Sequence, residues 1–306
     1  MKTINNLISQ YINFAFALCL LFCSCSNDES QEISIPEDNI FYLPVIVHVI
    51  HKGENIGEDT NLSTERIERQ IEILNEDFRR KVGTRGYNEH PDGGDAKIEF
   101  VLAKKDRNGN PTNGINRINE NTLNGPYLGY NQNNYAQYGY WDSSNYINIW
   151  TTPLSGEYTE CLVFGSATGP DINLPGSQFL PIPQLGDPEG ILINWMHFGE
   201  SNIDCQARFG RTLTHEMGHY LGVLHPWGGN DCEFNDYCDD TPAVDRPVYN
   251  SAFMGCEGET VATNNYMNWS DDEMMNMFTK DQISRMHNVL EHHEGRHNLL
   301  SSPAIK

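Results

Sequence analysis

The sequence predicts an α+β fold, a twisted mixed sheet over helices, and three observations carry that prediction. A β-branched run at Phe41–His51 is followed by apolar residues at helical spacing, Ile67, Ile71, Leu74 and Phe78. Further strand-like runs at 98–103, 146–150, 161–167 and 190–195 precede the next helical segment, near 211–221. A loop-rich stretch then ends in Thr279-Lys280-Asp281-Gln282, a capping box that opens a last helix. Strand, helix, then strands with a helix after them is an order that suits a mixed sheet packed on helices.

Taken in order, residues 1–25 read as a signal peptide. The apolar run Ile12–Phe22 follows a start carrying Lys2 and is too short for a comfortable membrane span. Cys23-Ser24-Cys25 behind it resembles a bacterial lipoprotein cleavage site. Cys25 is the preferred lipid acceptor because the small Ser24 precedes it, with Cys23 the alternative; an ordinary cleaved signal with incidental cysteines is the other reading. Residues 26–40 are polar and acidic, a tether. The folded domain is expected over 41–292, with 293–306 as a tail. Ser63 caps the first helix, whose buried stripe is the quartet named above. Ile98–Ala103 alternates as a second strand; Asp106–Pro111 turns the chain, and Gly114–Ile118 is expected to pair back against that strand. Tyr127–Trp141, rich in tyrosine and asparagine, reads as a surface segment. In the last helix Ile283, Met286, Val289 and Leu290 face inward.

The chemistry is concentrated in His215-Glu216-Met217-Gly218-His219-Tyr220-Leu221-Gly222-Val223-Leu224-His225. Histidines four apart lie on one face of a helix, so both imidazoles can grip one zinc ion. Gly222 lets the chain leave the helix at positive φ, and His225 can return as a third ligand. Three protein ligands leave a fourth position open, the mark of a catalytic site, and Glu216 stands where a general base for a zinc-bound water is needed. The pattern HExxHxxGxxH is the metzincin signature.

Charge and cysteines bound the rest. Lys+Arg number 20 against Asp+Glu 42, a net charge of -22, which excludes a nucleic-acid binder. Clustered carboxylates with a threonine at 236–241 are able to hold calcium, or they are turn formers. Of eight cysteines, Cys161, Cys205, Cys232, Cys238 and Cys256 lie beyond the leader. Cys232 and Cys256 flank one acidic loop and are the expected pair in an oxidising compartment.

The zinc signature, Asp240-Thr241-Pro242 and Asn265-Tyr266-Met267 together make the chain resemble the pappalysin family of metzincin peptidases. Gly210–Thr214 and Met277-Phe278-Thr279 add to the likeness. The resemblance implies a two-lobed catalytic domain, with sheet and zinc helix above a cleft and a methionine turn and the last helix below. It implies that Met267 packs beneath the zinc. Family members usually follow that methionine with aspartate and tyrosine; here Asn268 and Trp269 stand there, so any help in holding the reacting oxyanion falls to an indole N–H. Asp272 occupies the place of an acid near the S1′ floor of arginine-preferring members, which implies Arg or Lys after the scissile bond. Calcium bound around the Asp-Thr-Pro loop in the family points to Asp236, Asp239 and Thr241. Met274 stands where the cysteine of a second bridge is common, leaving Cys238 without that partner.

These readings lead to an exported zinc endopeptidase acting on protein or peptide substrates, held at the outer membrane or cell surface by a lipid anchor. Substrate is expected to extend along an edge strand, with 161–167 as that edge. A reading from another class is a surface binding protein or adhesin that keeps the scaffold with little catalysis, motivated by Trp269 and the tyrosine-rich segment.

Overall fold

The computed structural model describes residues 39–122, 132–137, 139–152, 164–184, 186–229, 232–245, 254–258, 261 and 264–306. The expected leader with Cys23 and Cys25, and Cys161, lie outside these residues. Ile40–Lys306 form one compact unit.

Strand β1, Phe41–His51, is buried from Leu43 to Ile50. A strand apolar on both faces must lie inside a sheet covered on both sides. Leu43, Val45, Val47 and Val49 face the main core, while Ile46 and Ile50 belong to smaller clusters on the opposite face. The other strands are β2, Ile98–Leu102; β3, Ile115–Asn119; β4, Ile147–Thr152; β5, Gly165–Ala167; and β6, Ile191–Asn194. Their order is β2-β1-β4-β6-β5, with β3 also paired to β1. Every pairing is parallel except that of β5 with β6. The mixed sheet of the α+β expectation is therefore present, and β5 is its antiparallel edge.

Helix α1, Thr64–Phe78, starts at Ser63, whose side chain accepts the Arg66 amide, and buries Ile67, Ile71, Leu74 and Phe78. Helix α3, Arg211–Tyr220, packs Leu213, Met217 and Tyr220 into the same core as α1 and β1. Helix α4, Lys280–His292, opens with the reciprocal bonds of the Thr279/Gln282 capping box and buries Ile283, Met286, Val289 and Leu290.

Three expectations need correction. Gly114–Ile118 does not pair back on β2. The turn at Asp106 closes locally, with the Asp106 amide on the Asn110 carbonyl at 2.8 Å and a bridge from Lys105 to Pro111. The chain then resumes its direction, so β2 pairs with the first half of β1 and β3 with the second. Second, the described part of 127–141 is a covering layer rather than a surface segment. It contains α2, Gln132–Ala136, and Tyr135 is buried against Ile50, Trp150 and Leu192. Trp150 Nε1 donates to the Gly139 carbonyl at 2.7 Å. A sheet apolar on both faces requires such a layer. Third, residues 293–306 are not a tail: α5, Glu294–Leu299, buries Arg296 and Leu299, and Ala304 packs with Ile46 and Tyr146.

Candidate metal centre

Helix α3 places His215 and His219 on one face, and the turn after it returns His225. Their three Nε2 atoms lie 3.1 Å from one another. The Nδ1 atoms of His215 and His219 bond to the carbonyls of Tyr266 at 2.7 Å and Val223 at 2.8 Å. A carbonyl only accepts, so each Nδ1 carries the proton and each Nε2 presents a lone pair. Burial lowers the pKa of His215 to about 4 and of His219 to about 3, keeping both neutral. Two lone pairs and the third ring nitrogen facing one point at this distance suit a cation between them. Tetrahedral zinc with Zn–N near 2.0–2.1 Å would hold its nitrogens roughly 3.3 Å apart, so the donor set fits that ion. Among the described residues this trio is the only group of three His, Cys, Asp or Glu placed to hold a metal ion.

The turn depends on Gly222, whose φ is 88° and whose added Cβ would meet Val289 Cγ2 at 2.7 Å. Gly218 lies between the two helical histidines, and a Cβ there would come within 2.5 Å of Met267 Sδ. Met267 is fully buried and sits directly beneath that helix.

Glu216 is buried beside the trio, and burial raises its carboxyl pKa to about 8. It faces the edge strand: a Cβ on Gly165 would lie 2.9 Å from Glu216 Cγ. The trio, Glu216, β5 and the segment Asn268–Asp272 line one cavity of about 620 Å³. Trp227 stacks on His225 with centroids 4.5 Å apart, and Trp269 meets both rings edge-on, at 5.5 Å from His225 and 4.9 Å from Trp227.

Asp272 is in the cavity wall, yet its Oδ2 already accepts the amides of Phe209 at 2.9 Å and Arg211 at 3.1 Å. It therefore caps α3, whose own N-cap, Gly210, has no side chain to do so. Burial raises its pKa to about 6 against the pull of those amides.

Of the expected calcium ligands, Asp236 and Thr241 are joined by a side-chain hydrogen bond, while Asp239 stands apart. Asp236 is buried, accepting from Gln282 Nε2 at 3.2 Å and the Cys238 amide at 3.2 Å, and burial raises its pKa to about 7. Asp239 is exposed, and its amide donates to Asp281. Thr241 is buried with its hydroxyl 3.4 Å from that of Thr279. The loop's carboxylates tie it to the start of α4 instead. Cys232 and Cys256 are bridged, Cys205 is also disulfide-bonded, and Cys238 is free and buried.

Several supports are absent from the sequence reading. Arg211 and Asp77 form an ion pair at 3.1 Å with both side chains fully buried, and Thr214 donates to the same carboxylate at 2.7 Å. Asp77 had a signal: an acid inside the apolar stripe of α1 needs a buried partner. At the other end, Arg285 Nε donates to the Gly222 carbonyl and Arg296 Nε to the Tyr220 carbonyl at 3.2 Å. Nothing in their local sequence marks them.

Comparison with known proteins agrees with this geometry. Residues 129–291 match the model of peptidase family M43, described as pregnancy-associated plasma protein-A. Mirolysin in complex with compound 9 is similar at a TM-score of 0.68 and 30% identity, covering 86% of this chain and 96% of that one. Mature mirolysin of Tannerella forsythia, in complex with a cleaved peptide, gives a TM-score of 0.65 at 30% identity over 87% of this chain and 97% of that one. An extracellular metalloprotease of Colletotrichum graminicola is 40% identical over 93 residues, 27% of this chain and 31% of its own length. Extracellular metalloprotease 1 of Coccidioides posadasii is 39% identical over 80 residues, 25% of this chain and 29% of its own. The match thus spans less than a third of either fungal relative.

Proposed function

The chain belongs to the M43, or pappalysin, family of metallopeptidases, and from that premise we propose that it is an exported zinc endopeptidase with its ion on His215, His219 and His225 and Glu216 as general base. The observation that carries the reading is the three Nε2 atoms converging at 3.1 Å with a buried carboxyl beside them. Zinc bound there supplies Lewis acidity, lowering the pKa of a water to about 7 and polarising the scissile carbonyl. Glu216 takes the proton of the attacking water and hands it to the leaving amine. The Nδ1 bonds to Tyr266 and Val223 fix the ring orientations and tautomers of two ligands. The buried face of Met267 sets the depth at which α3 rests. Trp269 offers one indole N–H at the rim of the site.

Substrate extends along β5, an edge strand of the described sheet, by β-augmentation. The cleaved peptide named with mature mirolysin supports a peptide as the occupant. Asp272 favours Arg or Lys after the scissile bond, its second oxygen being the one to receive that side chain. The fungal relatives' description as extracellular supports export, and the leader supports lipid attachment at Cys25, at the cell surface or outer membrane. Calcium at Asp236, Asp239 and Thr241 requires that loop to rearrange so that Asp239 turns inward. Removing it with a calcium-selective chelator would then lower the melting temperature.

Two experiments test the reading. Glu216→Ala should cut casein at least ~100-fold more slowly, the usual scale for a general base, with an unchanged melting temperature; undiminished cleavage contradicts it. Metabolic labelling with a fatty acid should mark the wild type and not Cys25→Ala. Label that persists in that variant moves the anchor to Cys23, and an unlabelled wild type means simple secretion.

A further inference from the structure

The two ends of the cleft differ in chemistry, and the course of β5 orders them. Before β5, Phe164 meets His197 edge-on at 4.6 Å, and His197 Nδ1 bonds to the Ala207 carbonyl at 2.8 Å. The neighbouring Gln206 carbonyl accepts the Asp272 amide at 2.9 Å. The strand therefore starts at the Asp272 end. It passes Glu216 at Gly165. After it, the Gly169 amide donates to the Pro181 carbonyl at 3.1 Å, so the strand finishes at Phe179, Leu180 and Pro181.

That finishing end is apolar and open. Phe179 and Phe234 pack ring to ring at 5.4 Å and are 37% and 39% exposed. Phe179, with Leu180, Pro181 and Leu224, continues the wall of the cavity that holds the histidines, and Phe234 extends that surface by packing on Phe179. An exposed pair of large aromatics continuous with a cleft is unusual for a surface that meets only water.

We infer that Phe179 and Phe234 form a specificity platform for an aromatic or large aliphatic substrate residue on the N-terminal side of the scissile bond. Antiparallel pairing is the more stable way to extend a sheet edge. A peptide antiparallel to β5 runs from the Phe179 end, past Glu216, to the Asp272 end. Residues before the cut then lie on the aromatic pair, and residues after it lie toward Asp272. The inference rests on the peptidase reading and adds the direction and chemistry of the bound peptide.

The test is cleavage-site profiling of a proteome-derived peptide library, followed by kcat/KM on matched peptides with Phe or Ala at the enriched position. The wild type should enrich Phe, Tyr, Leu or Met within about three residues before the cut, and the Phe peptide should be favoured about tenfold, as partial burial of one such side chain gives. The ratio should fall to about twofold in Phe179→Ser/Phe234→Ser and survive in Phe179→Leu, which keeps an apolar contact. A wild type that cuts with no apolar enrichment before the cut overturns the inference and leaves the peptidase reading standing. So does a ratio unmoved in the double variant, or an apolar preference after the cut that this variant abolishes. A wild type that cuts nothing overturns the peptidase reading itself and this inference with it.

Discussion

The two ends of the histidine helix are held by opposite means. At the N-terminal end the holders are carboxylates: Asp272 caps the amides of Phe209 and Arg211, and Asp77 grips Arg211 and Thr214. At the C-terminal end they are guanidinium groups, Arg296 on the Tyr220 carbonyl and Arg285 on the Gly222 carbonyl. The signs match the helix dipole at both ends. The difference is one of burial. The Arg211–Asp77 pair is wholly buried, whereas Arg296 shares its charge with Glu189, whose side chain keeps 22% of its exposure. A ten-residue helix is marginal alone, so the ligand spacing is set by residues far away in sequence.

That asymmetry can be broken by substitution. Arg211→Met should have the largest effect, about 3–5 kcal/mol, because it strands a buried carboxylate. Adding Asp77→Leu should recover much of the loss, and chemical denaturation of the single and double variants measures both. Arg296→Met should cost less, about 2 kcal/mol, since Glu189 can turn to water and the lost contacts are one charged hydrogen bond and the stack of the guanidinium 3.5 Å over the Tyr220 ring. A cost equal to that of Arg211→Met would erase the distinction between the ends. Gly222→Ala should cost about 1–2 kcal/mol from positive φ and the approach to Val289, and it should weaken zinc binding by displacing His225, read by competition with a chelating dye.

Asp272→Asn should have the smallest effect at pH 5, within about 1 kcal/mol, because an amide oxygen still accepts the two N–H groups. Its signature is in the pH dependence. Burial raises the carboxyl from 3.8 to about 6 in the folded protein. Between those values the folded protein holds a proton that the unfolded chain has released, so this residue's contribution to stability is largest below about 4 and falls as pH rises to about 6. The variant should therefore gain on the wild type across that window, in melting curves at pH 4.5 and 6.5.

How much of this was legible in the sequence follows from the same contrast. His215, Glu216, His219 and His225 were readable because their spacing alone sets the helix face and the turn. The stripe of α1, the Ser63 cap and the Thr279/Gln282 box were readable for the same local reason. Asp272 could be placed near the site only through family resemblance, and its capping role follows from Gly210 leaving α3 without a side-chain cap. Arg285 and Arg296 reach backbone carbonyls more than sixty residues away, and the carboxylate that pairs with Arg296, Glu189, is as remote, so no pattern announces them. Reading 293–306 as a tail hid Arg296 altogether. The pairing of β3 escaped for a related reason: a turn at Asp106 suggests a hairpin, but only the length of β1 reveals an edge long enough for two successive parallel partners. Phe179 and Phe234 lie 55 residues apart, and their adjacency belongs to the folded chain.

The central claim is that one zinc ion on His215, His219 and His225 works with Glu216 to hydrolyse peptides, and its most direct test is zinc content measured beside casein cleavage in three proteins. The account predicts about one zinc per chain in the wild type and in Glu216→Ala, much less in His219→Ala, and cleavage in the wild type alone. Cleavage by Glu216→Ala at the wild-type rate, or full zinc retention by His219→Ala, would contradict it.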